Sequence, residues 1–194
     1  MIRVNGAAIR PSACALLFLC ATALAQTDGV SFQAAAMSFD LRGNSVYTAL
    51  TVTDGTLTIS AAQGTATSQD GANGLWELRA GLSIAIDGAT LAADSGTLRA
   101  SDGRFTEIEF LGAPVTFEGT AGGESRQFRL TAGRIAYDGT RGVLQASEGV
   151  VFVSDGLEVR NCSWTYDLTN KSVQAVAETS SQCTATVALK RETP

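Results

Sequence analysis

The stretch 130–138, Leu-Thr-Ala-Gly-Arg-Ile-Ala-Tyr-Asp, places its larger apolar residues at Leu130, Ile135 and Tyr137, with Ala132 between them. Leu130 and Ala132 alternate as a strand does, and so do Ile135 and Tyr137. Between the two pairs the phase slips by one residue. Strand side chains alternate with period two, so the slip demands a bulge or bend that re-aims the chain. The same slipped pattern starts again at Phe32, Ile59, Leu91 and Val159. The copies are 27, 32, 39 and 29 residues apart, and no segment between them has helical periodicity. Repeats of that length without helices mean stacked antiparallel strands.

Turn chemistry agrees. Asp-Gly, the strongest short hairpin signal, begins at 28, 54, 70, 87, 102, 138 and 155. Calcium-binding nonapeptide repeats would need Gly-Gly-x-Gly-x-Asp at tight spacing, and these pairs lie too far apart. If each slip is a bend, each strand folds over and joins two facing sheets. The expected fold is all-β: an elongated antiparallel β-jellyroll with two facing, V-shaped sheets, built from about five repeated strand units. Phe32, Met37 and Phe39 should point inward from the first copy, with Ile84, Ile86 and Leu91 further on. Val115, Phe117, Leu130, Ile135 and Tyr137 should do so from the middle, and Val151, Val153, Val159, Trp164 and Tyr166 from the last part. By itself, repetition makes these residues a core.

Residues 1–25 read as a cleaved signal peptide. Arg3 and Arg10 form a positive n-region, Ala13 to Leu24 an apolar h-region, and Ala23-Leu24-Ala25 a small-x-small cleavage site. The apolar run is shorter than the ~20 residues of a membrane span. Residues 26–194 are expected to form a single domain in an exported compartment. Losing Arg3 and Arg10 takes the net charge from -5 to -7. Cys162 and Cys183 then remain, and an oxidising compartment allows a disulfide between them or leaves two buried thiols.

Several chemistries are disfavoured. The chain has no His, which removes His triads and His metal sites. No C-x-x-C is present, so zinc and redox catalysis are not expected, and no cofactor or metal is. An acidic chain without a basic block is a poor partner for nucleic acid. Glu107 with Glu109, or Glu118 with Glu124, could serve as a glycosidase pair, but such pairs on strands are usually solvated charge. Two sequons, at Asn161 and Asn170, are read as chance.

The order of motifs resembles the LptA/OstA-like family of periplasmic lipopolysaccharide-transport bridge proteins. Gly112-Ala-Pro-Val-Thr-Phe117 is similar to the family's Gly-x-Pro-(Ala/Val)-x-Phe strand, and Ile135-Ala-Tyr137-Asp138 to its strand ending in Tyr. Val143 to Val153 resembles its return strand, Gly and next strand; Trp164-Thr-Tyr166 with Val173-Gln-Ala175 resembles the following copy. Upstream, 81–98 resembles its Gly-x-Val-x-Val strand and Leu-x-Ala-Asp. The copy at Phe32, the acidity and the cysteine pair depart from the family pattern.

The resemblance implies a non-enzymatic carrier of lipopolysaccharide through the periplasm. The acyl chains of lipid A would contact Phe39, Ile84, Ile86, Leu91, Val115, Phe117, Leu130, Ile135, Tyr137, Val151, Val153, Trp164 and Tyr166. It also implies edge-strand pairing, head to tail with further copies and with LptC-like inner-membrane and LptD-like outer-membrane partners. The expected edges lie near Phe32 and Val187. The alternative is a structural β-scaffold that oligomerises with a filled core and carries no lipid.

Overall fold

A computed structural model describes residues 30–39, 44–67, 73–121, 126–160, 162–176 and 184–187. The expected signal peptide lies outside them. The described residues contain fourteen strands and no helix. The strands are β1 (Ser31–Gln33), β2 (Ala36–Phe39), β3 (Ser45–Asp54), β4 (Leu57–Ala66), β5 (Gly74–Ile86), β6 (Ala89–Ser101) and β7 (Arg104–Ala121). There follow β8 (Arg126–Asp138), β9 (Val143–Ser147), β10 (Val151–Ser154), β11 (Leu157–Arg160), β12 (Ser163–Asp167), β13 (Ser172–Val176) and β14 (Thr184–Val187). They make one 14-stranded antiparallel sheet, open at its ends.

The phase slips are bends in this sheet. Register jumps between Ser60 and Gln63 in β4, Arg79 and Leu82 in β5, Ala92 and Ser95 in β6, and Leu111 and Val115 in β7. These breaks lie side by side across the strands and form a crease. Beyond β8 the crease becomes a gap. Phe128–Thr131 pairs with β10, while Arg134–Asp138 pairs with β9. At the other end β1 and β2 both pair with β3, on opposite sides of Ala49. The crease needs unusual backbone: Ala49, Ala80, Gly81, Glu148 and Gly149 all have φ between 50° and 72°.

The crease divides the sheet into two half-sheets, each with an apolar row running across its strands. In the first half-sheet, Phe32, Val52, Ile59, Ile84, Leu91, Phe117, Leu130, Phe152 and Val159 stand opposite one another in turn. In the second the row is Phe39, Ser45, Ala66, Trp76, Leu98, Ile108, Tyr137, Leu144 and Tyr166. Cross-strand neighbours share a face, so each row is one stripe. The stripes meet in a single core that draws on both halves.

Along the crease the strands approach too closely for side chains at some points. A Cβ at Gly96 would sit 2.7 Å from the Glu109 carbonyl oxygen and 3.0 Å from Leu82 Cδ2. Opposite the crease, hairpin ends meet. Asp87-Gly88, Asp102-Gly103 and Asp155-Gly156 have φ above zero at both residues, as the two-residue turns that match strand twist require. The pairs at Asp28 and Asp70 lie outside the described residues. Across this seam the Phe105 N–H donates to Asp54 Oδ2 at 2.9 Å, Val30 N–H to the Gly103 carbonyl at 3.1 Å, and Lys171 Nζ lies 3.6 Å from Asp87.

Candidate functional site: the interior between the half-sheets

Nine of the residues expected to line the interior are buried in it: Ile84, Ile86, Leu91, Val115, Phe117, Leu130, Ile135, Trp164 and Tyr166. Tyr137 is half-buried and packs against the same core. The other three are corrected. Phe39 is 59% exposed. It shares a row with the buried Ser45, but it stands on an edge strand at the end of the sandwich, with nothing over it among the described residues. Met37, 53% exposed, has the same fate. Val151 and Val153 take the wrong face: Val153 is 40% exposed, and Val150 and Phe152 are buried instead. A run of four apolar residues, 150–153, carries no alternation to set its phase. Pairing of Phe152 with Leu130 sets it.

Aromatic rings fasten the two half-sheets together. Phe32 lies flat on Trp76, with centroids 4.6 Å apart and planes at 5°. Phe152 lies on Trp164 at 4.2 Å and 14°. Between them Phe117 meets Tyr166 edge-on at 5.3 Å, and Phe128 contacts Phe117, Phe152 and Tyr166 at 5.5 Å. Ring pairs of this kind add about 0.5–1.5 kcal/mol each beyond their buried area. Trp76, Phe128 and Phe152 were not singled out from the sequence as site residues. Trp76 alternates cleanly with Leu78, which would have exposed it. Phe128 sits in the charged run 126–129, Arg-Gln-Phe-Arg, which hides it.

Among the described residues the interior is closely packed: a cavity of about 10 Å³ is lined by Phe117, Phe128, Leu130, Ile135, Trp164 and Tyr166 among others, and this is room for about one water. A larger recess of about 600 Å³ lies outside, by Glu118, Arg129 and Val153, with walls of mixed polar and apolar residues. The polar groups inside are few. Tyr166 Oη donates to the Thr120 carbonyl at 3.1 Å, from one half-sheet to the other. Burial, and then the nearby Asp87 and Asp167, push the Tyr166 hydroxyl above its ordinary pKa, so it stays a donor. Burial, followed by Asp54 and Asp138, does the same to Tyr137. By contrast Ser45 Oγ, Trp76 Nε1 and Trp164 Nε1 are buried with no hydrogen-bond partner. Each such group costs about 1–3 kcal/mol.

The carboxylate pairs weighed for catalysis are in ion pairs. Glu107 lies 3.4 Å from Arg99, Glu109 pairs with Arg134, and Glu118 accepts from Arg129 Nε at 2.7 Å. Glu124 lies outside the described residues. Among the described residues no group of three or more His, Cys, Asp or Glu is placed to hold a metal ion. Cys162 is buried and disulfide-bonded; Cys183, its expected partner, lies outside the described residues. The segments expected to be edges, β1 and β14, are the two ends of the strand path.

No family model matches the chain, and no curated protein does. Among solved structures it is similar to LptH, the LptA-homologous periplasmic component of the lipopolysaccharide transport device from Pseudomonas aeruginosa, at 15% identity and a TM-score of 0.47. The match covers 84% of this chain and 96% of that one.

Proposed function

We propose that this protein is a non-enzymatic carrier of lipopolysaccharide, holding the acyl chains of lipid A between its half-sheets as part of a periplasmic bridge. The observation that carries the reading is the continuous apolar interior. It runs from Phe32 to Val159 between the two half-sheets. Among the described residues the seam opposite the crease is bridged by polar contacts and ring stacks and by no strand pairing, so it can part without breaking a strand ladder. An acyl chain gains about 0.8 kcal/mol per buried methylene, which is enough to hold lipid without a catalyst. The motif order seen in the sequence supplies the lipopolysaccharide assignment and the periplasmic location.

Assembly follows from the edges. Among the described residues β1, β2, β13 and β14 each have one side without a partner strand. Such edges accept another chain by strand addition, either a further copy head to tail or LptC-like and LptD-like partners. Photo-crosslinking residues at Phe117 and Tyr137 should capture lipopolysaccharide in cells, and no capture from any interior position would sink the carrier reading. The filled core favours a second reading, a scaffold that assembles through its edges and takes no lipid. Size-exclusion chromatography with and without lipid separates them: a carrier comigrates with lipid, whereas a scaffold oligomerises and leaves the lipid behind.

A further inference from the structure

The interior has two clasps of the same design, one towards each end. At each, a Trp of the second half-sheet is covered flat by a Phe of the first: Trp76 by Phe32 and Trp164 by Phe152. An indole N–H lies in the plane of its ring. A ring stacked on the indole face, with planes at 5° or 14°, therefore cannot receive it. Both N–H groups are buried and have no other partner. Ser45 Oγ is equally buried and unpartnered, in the row that holds Trp76 but two strands from it. Beside the second lies the interior cavity, which Trp164 lines.

Orphaned buried donors call for an explanation, and their chemistry is one-sided. The two indoles can only donate, and the walls around them are apolar. A ligand that fits is apolar along its length and carries acceptors without donors. Acyl esters have that composition.

We propose that Trp76 Nε1 and Trp164 Nε1 are the carbonyl-binding points of the interior, each donating to the ester oxygen of an acyl chain when the half-sheets part. Phe32 and Phe152 lie on the indole faces and leave both N–H edges without an acceptor. This rests on the carrier reading and deepens it. The interior then does more than dissolve chains: it registers them at two positions along its axis.

The test uses the intact mature protein and two probes. One is a short-chain, ester-linked phosphatidylglycerol below its micelle concentration; the other is its ether-linked analogue with chains of equal length. The chain has two Trp, so Trp76→Phe and Trp164→Phe each leave one fluorophore to report binding. The wild-type chain should bind the ester probe about three- to tenfold more tightly than the ether, the worth of one or two neutral hydrogen bonds. Each substitution should bring the ester-to-ether affinity ratio towards one, whatever it does to the two affinities themselves. Equal binding of the two probes by the wild-type chain would overturn the inference and leave lipid carriage standing, and so would substitutions that weaken both probes alike. Binding of neither probe would overturn the inference, and the crosslinking of lipopolysaccharide from Phe117 and Tyr137 decides carriage separately. The wild-type comparison needs no variant to fold.

Discussion

At the scale of single residues, the crease is set by what is missing. Gly96 stands between Leu78 and Phe110 in the second half-sheet, where its strand passes within 2.7 Å of a backbone oxygen, measured from where a Cβ would be. A carbonyl in a sheet cannot yield as a flexible side chain would. Gly96→Ala should therefore cost about 1–3 kcal/mol, the usual range for overpacking. Thermal denaturation should show a melting temperature lower by several degrees, about 2–4 °C per kcal/mol at this size. A second residue-scale expectation concerns Asp138. Its carboxylate accepts from the Thr140 hydroxyl at 2.6 Å and from the Thr140 and Arg141 N–H groups at 3.0 and 3.1 Å. The Thr140 hydroxyl first, and then the Arg141 and Thr140 N–H groups, hold its pKa below the ordinary 3.8. A depressed folded-state pKa favours the fold above the unfolded value and loses that contribution as pH falls through the folded value. Protection of the Thr140 and Arg141 amides against exchange should thus persist below the ordinary pKa of an Asp carboxyl and fall away only as pH drops through the lowered folded value. Loss of protection already at or above the ordinary value would remove Asp138 as the cause.

At the scale of elements, the bends were the legible part and the phases of short apolar runs were not. The pattern of two, a slip, then two is met at Ile59, Ala61, Gly64 and Ala66 in β4, and at Leu91, Ala93, Gly96 and Leu98 in β6, all of them buried. It could be read because polar residues separate the apolar ones and fix the parity. Val150 to Val153 offers no such separation, so only its partner strand decides. Phe39 failed for another reason: periodicity gives the face of a strand but not whether a second layer covers that face. Disorderly phase is also absorbed in the return strands by backbone. In β5, Ala80 and Gly81 lie at φ 63° and 72° in succession. The two should respond in opposite directions. Gly81→Ala places a second side chain in the left-handed region, at a cost of about 1–2 kcal/mol, although nothing else lies within 4 Å of its Cβ position. Ala80→Gly removes such a cost and should leave stability level or raise it. Denaturant titrations of the two variants decide the matter, and equal losses would show that the crease tolerates no change at all rather than demanding this conformation.

At the scale of the whole molecule, one sheet serves as both walls of a sandwich, and that arrangement leaves ends. Folding a sheet along a crease covers its inner face everywhere except at the last strands, where a wall has no opposite. Met37 and Phe39 occupy that position on β2, and Val176 is 51% exposed on β13 at the other end. Exposed apolar groups beside an unpaired strand edge are what a docking end requires and what an isolated soluble protein avoids. If copies join end to end, Phe39 leaves water on assembly and has little to lose in the monomer. Phe39→Lys should then leave the melting temperature of dilute protein nearly unchanged, as surface substitutions do within about 0.5 kcal/mol. It should also abolish concentration-dependent self-association in light scattering, because a charge on an edge blocks strand addition. Val176→Lys should do the same from the opposite end, and an equimolar mixture of the two variants distinguishes the geometries. A head-to-tail joint between β2 and β13 leaves each pure variant monomeric, because each has lost one of the two ends that a junction needs; in the mixture the intact β13 of Phe39→Lys meets the intact β2 of Val176→Lys, so dimers form and stop. Dimers in either pure variant would contradict that joint and mark one between like ends.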